Sequence, residues 1–560
     1  MAPVESCRTI PELLQQRVTR DCERPALQYK QAGEFAKWTW GDLHQAVLQT
    51  ADLLLRHDVA AGDRVAQISE NRVEWILVDL ATHLLGAIHV PMHSPLTGAQ
   101  LAQQINDCAP RVTFLSTEAQ VAKLGNPTQE LQHATSCFVF DRVPSETVTH
   151  PQMPRQPFTV STAPLSDHRI DAIQEQTAAV TDLSVATILY TSGTTGTPRG
   201  VVLSQANVIS NALAASSAFQ YDQSDRRINF LPLSHIFART CDLYTWLAVG
   251  HELVLAESPE TMVPDCQATC PTVLNGVPYF FDKLFRSLCE QGLQNQPGVV
   301  RAVLGGAIRF CCSGGAPLPV HLFDFYQAQA VPVLEGYGLT ETSPVISMST
   351  EQFAKRGSAG KAITGVEIKI ADDGEILTRG PHVMQGYYQR PDETDQIIRQ
   401  GWLHTGDLGH LDEDNFLFVT GRKKELIVTN AGKNIAPVSL EALLTQDPLI
   451  MQAMVIGNQR NFLTALIVPD MAALQHKLNA EELSRDPTRS LQDPVVSELF
   501  EQVVQARLQD VSHHEQVRKF TLLAEPFSIK RGELTAKLSL RRDQIAEQHD
   551  DVIAAMYERT

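Results

Sequence analysis

The sequence predicts an α/β protein: a large multi-subdomain N-terminal α/β domain with a distorted antiparallel β element, followed by a small α+β C-terminal domain. Three observations lead there. The chain has 560 residues, past the size at which one hydrophobic core keeps growing. Apolar strand-like runs alternate with helical stretches and pass directly into Gly-rich turns, as in layered sheets whose ligands sit at strand ends. A basic cluster, Arg422-Lys423-Lys424, then opens a stretch with its own strands and helices.

Taken in order, helical patterns cover residues 11–19, 40–57 and 72–85, with a short apolar strand at 64–68. Residues 144–182 are rich in Pro, Ser, Thr and Gln and lack periodicity, which reads as a surface connection. Residues 184–190 and 308–312 read as buried strands, and 279–289 as a helix. Between 365 and 377, Val366, Ile368 and Ile370 alternate with Glu367 and Lys369 before Asp373-Gly374, a hairpin signal. That hairpin begins the antiparallel element. Strands at 453–456 and 463–468 belong to the C-terminal domain, so the expected boundaries are 1–421 and 422–560.

Composition excludes some functions. Hydrophobic residues are 43% and charged residues 20%, ordinary for a globular chain. A formal charge of −18 argues against nucleic acid as a partner, since that needs a basic footprint. Residues 1–27 mix acidic groups with no long apolar run, and Asp79, His83 and His89 interrupt the apolar neighbourhood at 76–92. The expected location is therefore cytoplasmic, with peripheral membrane contact left open. Ten scattered cysteines fit a reducing compartment, and Cys311-Cys312 and Cys266-x3-Cys270 read as core thiols.

The most informative segment is Tyr190-Thr-Ser-Gly-Thr-Thr-Gly-Thr-Pro-Arg-Gly200, directly after a strand. Glycines let backbone N–H groups approach an anion, hydroxyls add donors, and Arg199 can meet phosphate oxygens in a fork. Thr191, Ser192, Gly193, Thr194, Thr195, Gly196 and Arg199 thus form a candidate phosphate cradle. Pro198 stands where a P-loop needs its second Gly, so that reading fails.

This segment resembles the core signature of the AMP-forming acyl-CoA synthetase, adenylation-domain and luciferase superfamily. The resemblance continues in order through Ser313-Gly-Gly-Ala-Pro-Leu318, Glu335-Gly-Tyr-Gly-Leu-Thr-Glu-Thr-Ser-Pro344, Gly401-Trp-Leu-His-Thr-Gly-Asp-Leu-Gly409 and Gly421-Arg-Lys-Lys-Glu-Leu-Ile427. Leu231-Pro-Leu-Ser-His-Ile-Phe-Ala-Arg239 is most similar to the long-chain fatty acyl-CoA synthetase branch. The resemblance implies that a carboxylate attacks the α-phosphorus of ATP, expelling pyrophosphate, and that the acyl group passes to coenzyme A. ATP, Mg²⁺ and coenzyme A are the implied cofactors, and a fatty acid is the implied substrate.

By the same resemblance, Gly314, Gly315 and Ala316 line the adenine side. Glu335, Gly336, Tyr337 and Gly338 form the AMP motif, with Tyr337 stacking on adenine. Thr340 binds the α-phosphate, and Glu341 holds the metal. Asp407 accepts from ribose hydroxyls with Arg422 nearby, since two acceptor oxygens suit a diol. His235 lies beside the acyl carboxylate, where Ile236, Phe237, Ala238, Tyr244, Trp246, Val277, Tyr279, Phe280 and Phe281 suit an apolar pocket or an ordinary core. Lys424 is the hinge about which a mobile C-terminal domain swings, and Gly432 and Lys433 follow in a loop that acts in the second half-reaction. Read alone, Glu341 is a solvated acid and residues 422–424 a solvated basic run.

Two departures stand out. Arg199 replaces the usual lysine, cationic but not geometrically equivalent. The family's C-terminal catalytic lysine falls in Glu533-Leu-Thr-Ala-Lys-Leu-Ser-Leu-Arg-Arg542. One alignment puts Ser539 at its position and another puts Lys537. In a strand these two share a face about 7 Å apart, so Lys537 is taken as the substitute. Two alternatives stay open: transfer to a carrier protein instead of coenzyme A, and a degenerate acyl- or nucleotide-binding protein with weak adenylation.

Overall fold

A computed structural model describes residues 7–125, 131–133, 135–141, 154–159, 164–191, 198–219, 221–430, 433–478, 491, 493–528, 530–534 and 540–558. The chain divides into two compact units. One comprises Met1–Gly315, Asp324–Lys369 and Leu377–His404, and the other Ala316–Phe323, Ile370–Ile376 and Thr405–Thr560.

In the first unit, the described residues form a nine-stranded sheet. Its order is Lys361–Ala362, Val345–Met348, Val333–Gly338, Phe310–Ser313, Val273–Gly276, Arg226–Asn229, Glu252–Leu255, Pro25–Gln31 and Glu34–Thr39. From Val333–Gly338 through Pro25–Gln31 the strands are parallel, with antiparallel strands at either edge. A second, eight-stranded sheet runs Gly386–Tyr387, Arg199–Ser204, Val185–Thr191, Ile88–Met92, Arg64–Ile68, Val112–Leu115, Ser136–Val139 and Arg155–Pro157, antiparallel only at its first two pairings. Parallel strands need crossovers and covered faces, which explains their continuous apolar runs. The helices Trp40–Arg56, Val73–Leu84 and Gln205–Ala218 contribute to one core that takes side chains from both sheets, including Leu27, Leu253, Val65 and Phe114. Within it Trp40 stacks on Trp246 at 4.5 Å.

In the second unit, Ile450–Ile456 pairs antiparallel with Leu463–Pro469, which pairs parallel with Val517–Leu522. The period of two is visible in the burial. Ala453, Val455, Ala465 and Ile467 join a core with Leu440, Leu444 and Phe500, whereas Met454, Leu466 and Val468 join another with Ile545, Ile553 and Met556. Both faces of this small sheet are therefore covered by helices, among them Pro437–Leu444 and Pro494–Arg507 on one side and Asp550–Tyr557 on the other.

The helices Ile10–Asp21, Trp40–Arg56 and Val73–Leu84 and the strand Arg64–Ile68 fall where the periodicity puts them. So do Val185–Thr191, Phe310–Ser313 and Pro278–Glu290, and the hairpin Glu367–Ile370 to Glu375–Arg379, with Gly374 at φ +83°. The reading of 144–182 as connection misses the helix Asp167–Ala178. Only Ile173 of that helix is buried, so it has no apolar stripe to read. Among the described residues no helix is long and apolar enough to cross a membrane. Cys266, Cys311 and Cys312 are buried thiols, whereas Cys270, read as a core thiol, is exposed; burial pushes Cys312 up to about 12.

Candidate active site

The phosphate-cradle segment leaves the second sheet through an antiparallel pair. Thr191 lies opposite Arg199, and Tyr190 opposite Gly200. Ser192, Gly193, Thr194, Thr195 and Gly196, which connect them, lie outside the described residues, as do Gly432, Lys537 and Ser539. Gly200 is required for packing: a Cβ there would lie 2.7 Å from Ile188 Cγ2.

Arg199 is fixed from two sides. Its Nε lies 2.6 Å from Glu393 Oε2. Its guanidinium carbon sits 5.5 Å from the centroid of the Tyr387 ring, within cation–π range. Tyr387 is placed by the sheet, since Gly386–Tyr387 pairs with Val202 and Val201 and Tyr388 N–H donates to the Gly200 carbonyl at 2.7 Å. The Tyr387 hydroxyl donates to Glu341 Oε1 at 2.9 Å. Burial, then the Glu341 charge, pushes the phenol well above its ordinary range, so it stays protonated. Arg199, Tyr387, Glu341 and Glu393 thus form one chain of contacts drawn from three separate segments.

Thr340 and Glu341 form the single 3₁₀ turn Thr340–Thr342 after the strand Val333–Gly338. That strand carries Glu335, Gly336, Tyr337 and Gly338, with Tyr337 opposite Ser347. Gly338 is demanded by backbone approach, because a Cβ there would lie 1.8 Å from the Pro344 carbonyl oxygen. The turn is hung on neighbouring elements. Asn211, on the helix that follows the cradle strand, donates to Val345 O at 2.8 Å and accepts from Val345 N–H at 3.1 Å. Thr240 donates to Ser343 O at 2.8 Å.

Thr240 ties this turn to the His235 segment. His235 N-caps Ile236–Ala238, its Nδ1 accepting from Phe237 N–H at 3.2 Å. That acceptor role leaves the proton of a neutral ring on Nε2. His93 lies beside it, ring centroids 6.1 Å apart, with His93 Nδ1 2.8 Å from Ser234 Oγ. Phe237 stands over Gly314, where a Cβ would meet the ring at 3.1 Å, and Val277 approaches Gly315. Phe230 and Phe280 pack at 4.9 Å, and Tyr279 is 60% exposed. Of the residues that suit either a pocket or a core, Ile236, Ala238, Tyr244, Trp246 and Phe281 are core. Trp246 stacks on Trp40 and donates to Ala26 O, and the Tyr244 hydroxyl lies 3.1 Å from Asp79 Oδ2.

Behind the His235 segment lies a buried polar cluster that local sequence did not suggest. Arg239 contacts Asp79 at 2.5 Å, Tyr244 Oη at 2.7 Å and Thr187 Oγ1 at 2.7 Å. His89 Nδ1 lies 2.9 Å and His83 Nε2 3.4 Å from Asp79 Oδ1. All are fully buried. Burial would raise the Asp79 carboxyl, but Arg239 and the two histidines pull it well below its ordinary value. Burial and the Arg239 charge push His89 down to about 4. Asp79, His83 and His89 are the residues that interrupt the apolar run at 76–92, and that interruption is their one mark in the sequence.

The second unit carries the remaining residues. Ala316 is exposed. Asp407 is buried and lies opposite Arg422 in the pair Trp402–Leu411 and Leu417–Arg422, with Arg422 Nε 3.0 Å from Asp407 Oδ1. Gly406 N–H donates to Glu375 at 2.9 Å, and Lys423 reaches Asp373 and Glu375 at 2.5 and 3.1 Å. Lys424 is exposed in the turn Lys423–Glu425 that follows. Lys433 and Thr429 exchange hydrogen bonds across the short loop beyond it.

The described residues thus make a largely parallel-stranded α/β unit, with the strands Val185–Thr191 and Arg199–Ser204 flanking the hydroxyl- and glycine-rich run, and a small α+β unit. The chain belongs to the AMP-binding enzyme family: residues 14–388 match the AMP-binding enzyme domain and 424–560 its C-terminal domain. It is 33% identical to "Long-chain-fatty-acid--CoA ligase FadD15" of Mycobacterium bovis, covering 90% of each chain. It is 26% identical to "Long-chain-fatty-acid--CoA ligase ACSBG2" of Rattus norvegicus over 99% of this chain and 93% of that one. Its fold is similar to the crystal structure of the anthranilate CoA ligase AuaEII in complex with anthranoyl-AMP, with TM-score 0.76, 18% identity and 98% of each chain covered. It is similar also to Mycobacterium tuberculosis fatty acyl CoA synthetase, with TM-score 0.65, 21% identity, and 97% of this chain and 99% of that one covered.

Proposed function

We propose that the chain is an AMP-forming acid–thiol ligase that activates a medium- to long-chain fatty acid with ATP and transfers the acyl group to coenzyme A. The observation that carries this reading is the meeting of Arg199 and Glu341 on Tyr387. A cation suited to phosphate and a carboxylate suited to a hard metal ion share one tyrosine, though they come from motifs far apart in sequence.

In this reading Arg199 and the hydroxyl-rich cradle at 191–196 hold the phosphates, and Thr340 meets the α-phosphate. Glu341, next to Thr340 in the same turn, would hold Mg²⁺; a carboxylate is the kind of oxygen donor such an ion prefers, and the ion would supply charge neutralisation when bound. Gly314, Gly315, Ala316, Glu335, Gly336, Tyr337 and Gly338 receive the base and AMP. Asp407 accepts the ribose hydroxyls with Arg422 beside it. His235 donates from Nε2 toward the acyl carboxylate, placing a hydrogen-bond donor where negative charge must turn toward phosphorus. Phe230, Phe237, Val277 and Phe280 provide apolar walls for the chain. Lys537 stabilises the adenylation transition state in place of the residue absent at Ser539. The domains divide at 421/422 and turn about Lys424. The site of action is the cytoplasm.

Pyrophosphate release with ATP, Mg²⁺ and a ladder of fatty acids, with and without coenzyme A, tests the assignment on wild type, Lys537→Ala and Ser539→Lys. Loss of one preorganised donor lowers the rate about 100- to 1,000-fold. The expected pattern is turnover that needs coenzyme A and falls by that factor in Lys537→Ala. Absence of release from wild type, with recovery in Ser539→Lys, would replace the reading by that of an acyl- or nucleotide-binding protein.

A further inference from the structure

Arg199, the cation assigned to phosphate, is engaged with a carboxylate. Glu393 bridges two cations: Oε2 lies 2.6 Å from Arg199 Nε and Oε1 lies 3.1 Å from Arg390 Nη1. Both residues of the Arg199 pair are partly exposed, with side-chain accessibilities of 21% and 30%, so the pair can open without desolvating a charge. Glu393 belongs to the short helix Pro391–Ile397, and its place is held from two sides. Tyr387 N–H donates to Thr394 Oγ1 at 2.9 Å, and Thr394 Oγ1 donates back to Arg390 O at 2.9 Å. The carboxylate, the arginine and the tyrosine that reaches Glu341 therefore form one connected set of contacts.

We infer that Glu393 is a positioning residue that serves as the resident counter-ion of Arg199 and is exchanged for a triphosphate oxygen when nucleotide binds. The exchange balances charge at each end. A departing Arg199 gains phosphate oxygens, while Glu393 keeps Arg390, so no carboxylate is left without a cation. When pyrophosphate departs, the same carboxylate receives Arg199 again, which eases release of a polyanion that a permanently unpaired arginine would retain. The cation–π contact with Tyr387, whose hydroxyl reaches Glu341, does not depend on Glu393 and can persist in either state. Glu393 thus lowers nucleotide affinity, and the reaction gains product release. This inference rests on the reading of Arg199 as a phosphate ligand.

The test is calorimetric titration of the full chain with Mg²⁺ and the α,β-methylene analogue of ATP, without fatty acid. A partly exposed ion pair that competes for Arg199 should weaken binding by roughly two- to five-fold. Glu393→Gln is therefore expected to bind the analogue two- to five-fold tighter, with Glu393→Asp in between. In an Arg199→Gln background, which itself binds more weakly than wild type, the same Glu393→Gln change should give no gain. Weaker binding by Glu393→Gln would overturn the inference, because it would mean that Glu393 orients Arg199 for phosphate. So would an equal gain in both backgrounds, which would mean that its charge acts without the pair. Wild type that binds no analogue, or Arg199→Gln that binds as wild type does, would instead overturn the phosphate reading beneath it.

Discussion

Removing Arg239 separates the structural demands of the buried cluster from those of the chemistry. Four groups face the Asp79 carboxylate: Arg239 at 2.5 Å, His89 at 2.9 Å, Tyr244 at 3.1 Å and His83 at 3.4 Å. Arg239 alone is a permanent cation among them, since burial lowers both histidines and raises the phenol. Arg239→Leu therefore leaves a carboxylate at 0% exposure without its charge partner, a change that costs about 3–5 kcal/mol. The two histidines can take up a proton in compensation, so the lower end, about 3 kcal/mol, is expected. Asp79→Leu should cost a similar amount, whereas the double variant, with no buried charge in the pair, should recover at least about 2 kcal/mol relative to the sum. All five tryptophans, at 38, 40, 75, 246 and 402, lie in the first unit, so their fluorescence in urea follows that unit alone. A loss below about 1 kcal/mol in Arg239→Leu, or strictly additive single changes, would refute the reasoning.

Other expectations follow from single contacts. Tyr387→Phe keeps the ring under Arg199 but deletes the hydroxyl on Glu341, and loss of such a partner lowers metal affinity about 10- to 100-fold; the Mg²⁺ concentration for half-maximal pyrophosphate release should rise accordingly. Gly338→Ala drives a Cβ to 1.8 Å from the Pro344 carbonyl and should disrupt the first unit, while Gly336→Ala, at 3.6 Å from Ser347 O, should fold normally; circular dichroism and urea midpoints compare them. Stability should fall as the medium is acidified below the unfolded histidine value of about 6.5. His89 is pushed down to about 4, so between those values the unfolded chain binds a proton that the folded chain refuses, and stability is fully present only above pH 6.5. At pH 5 the loss from His89 alone is about 2 kcal/mol; His382, also pushed down to about 4, adds in the same direction, and Asp79 contributes nothing until the pH falls below the carboxylate range. Urea midpoints at pH 8 and pH 5 check the sign.

Much of the fold was legible because burial and periodicity coincide. The strand Leu463–Pro469 is buried at every position, and the hairpin around Gly374 needs its positive φ. The site was legible where composition is unusual, as in the hydroxyl and glycine run after Tyr190. What escaped depends on pairing across the fold. Asp79 and Arg239 are 160 residues apart, and from the sequence the acid reads only as a break in an apolar run. Tyr387 and Glu393 acquire meaning through the register that sets Tyr387 against Val201, two residues from Arg199. Nothing in their local pattern marks them, apart from an aromatic pair before a proline-initiated helix. Tyr244 and Trp246 were equally suited to a pocket or a core by type, and only packing decides between the two.

The chemistry itself can be followed by one label. A fatty acid carrying ¹⁸O in both carboxyl oxygens, incubated with the chain, ATP, Mg²⁺ and coenzyme A, gives AMP that can be read by mass spectrometry. Attack of the carboxylate on the α-phosphorus, followed by thiol attack on the acyl carbon, leaves one ¹⁸O in AMP for each acyl-CoA formed, which is the expected outcome. Acyl-CoA accompanied by unlabelled AMP would mean that no acyl-adenylate forms, and the assignment of Arg199, Thr340 and Glu341 to that step would fall with it.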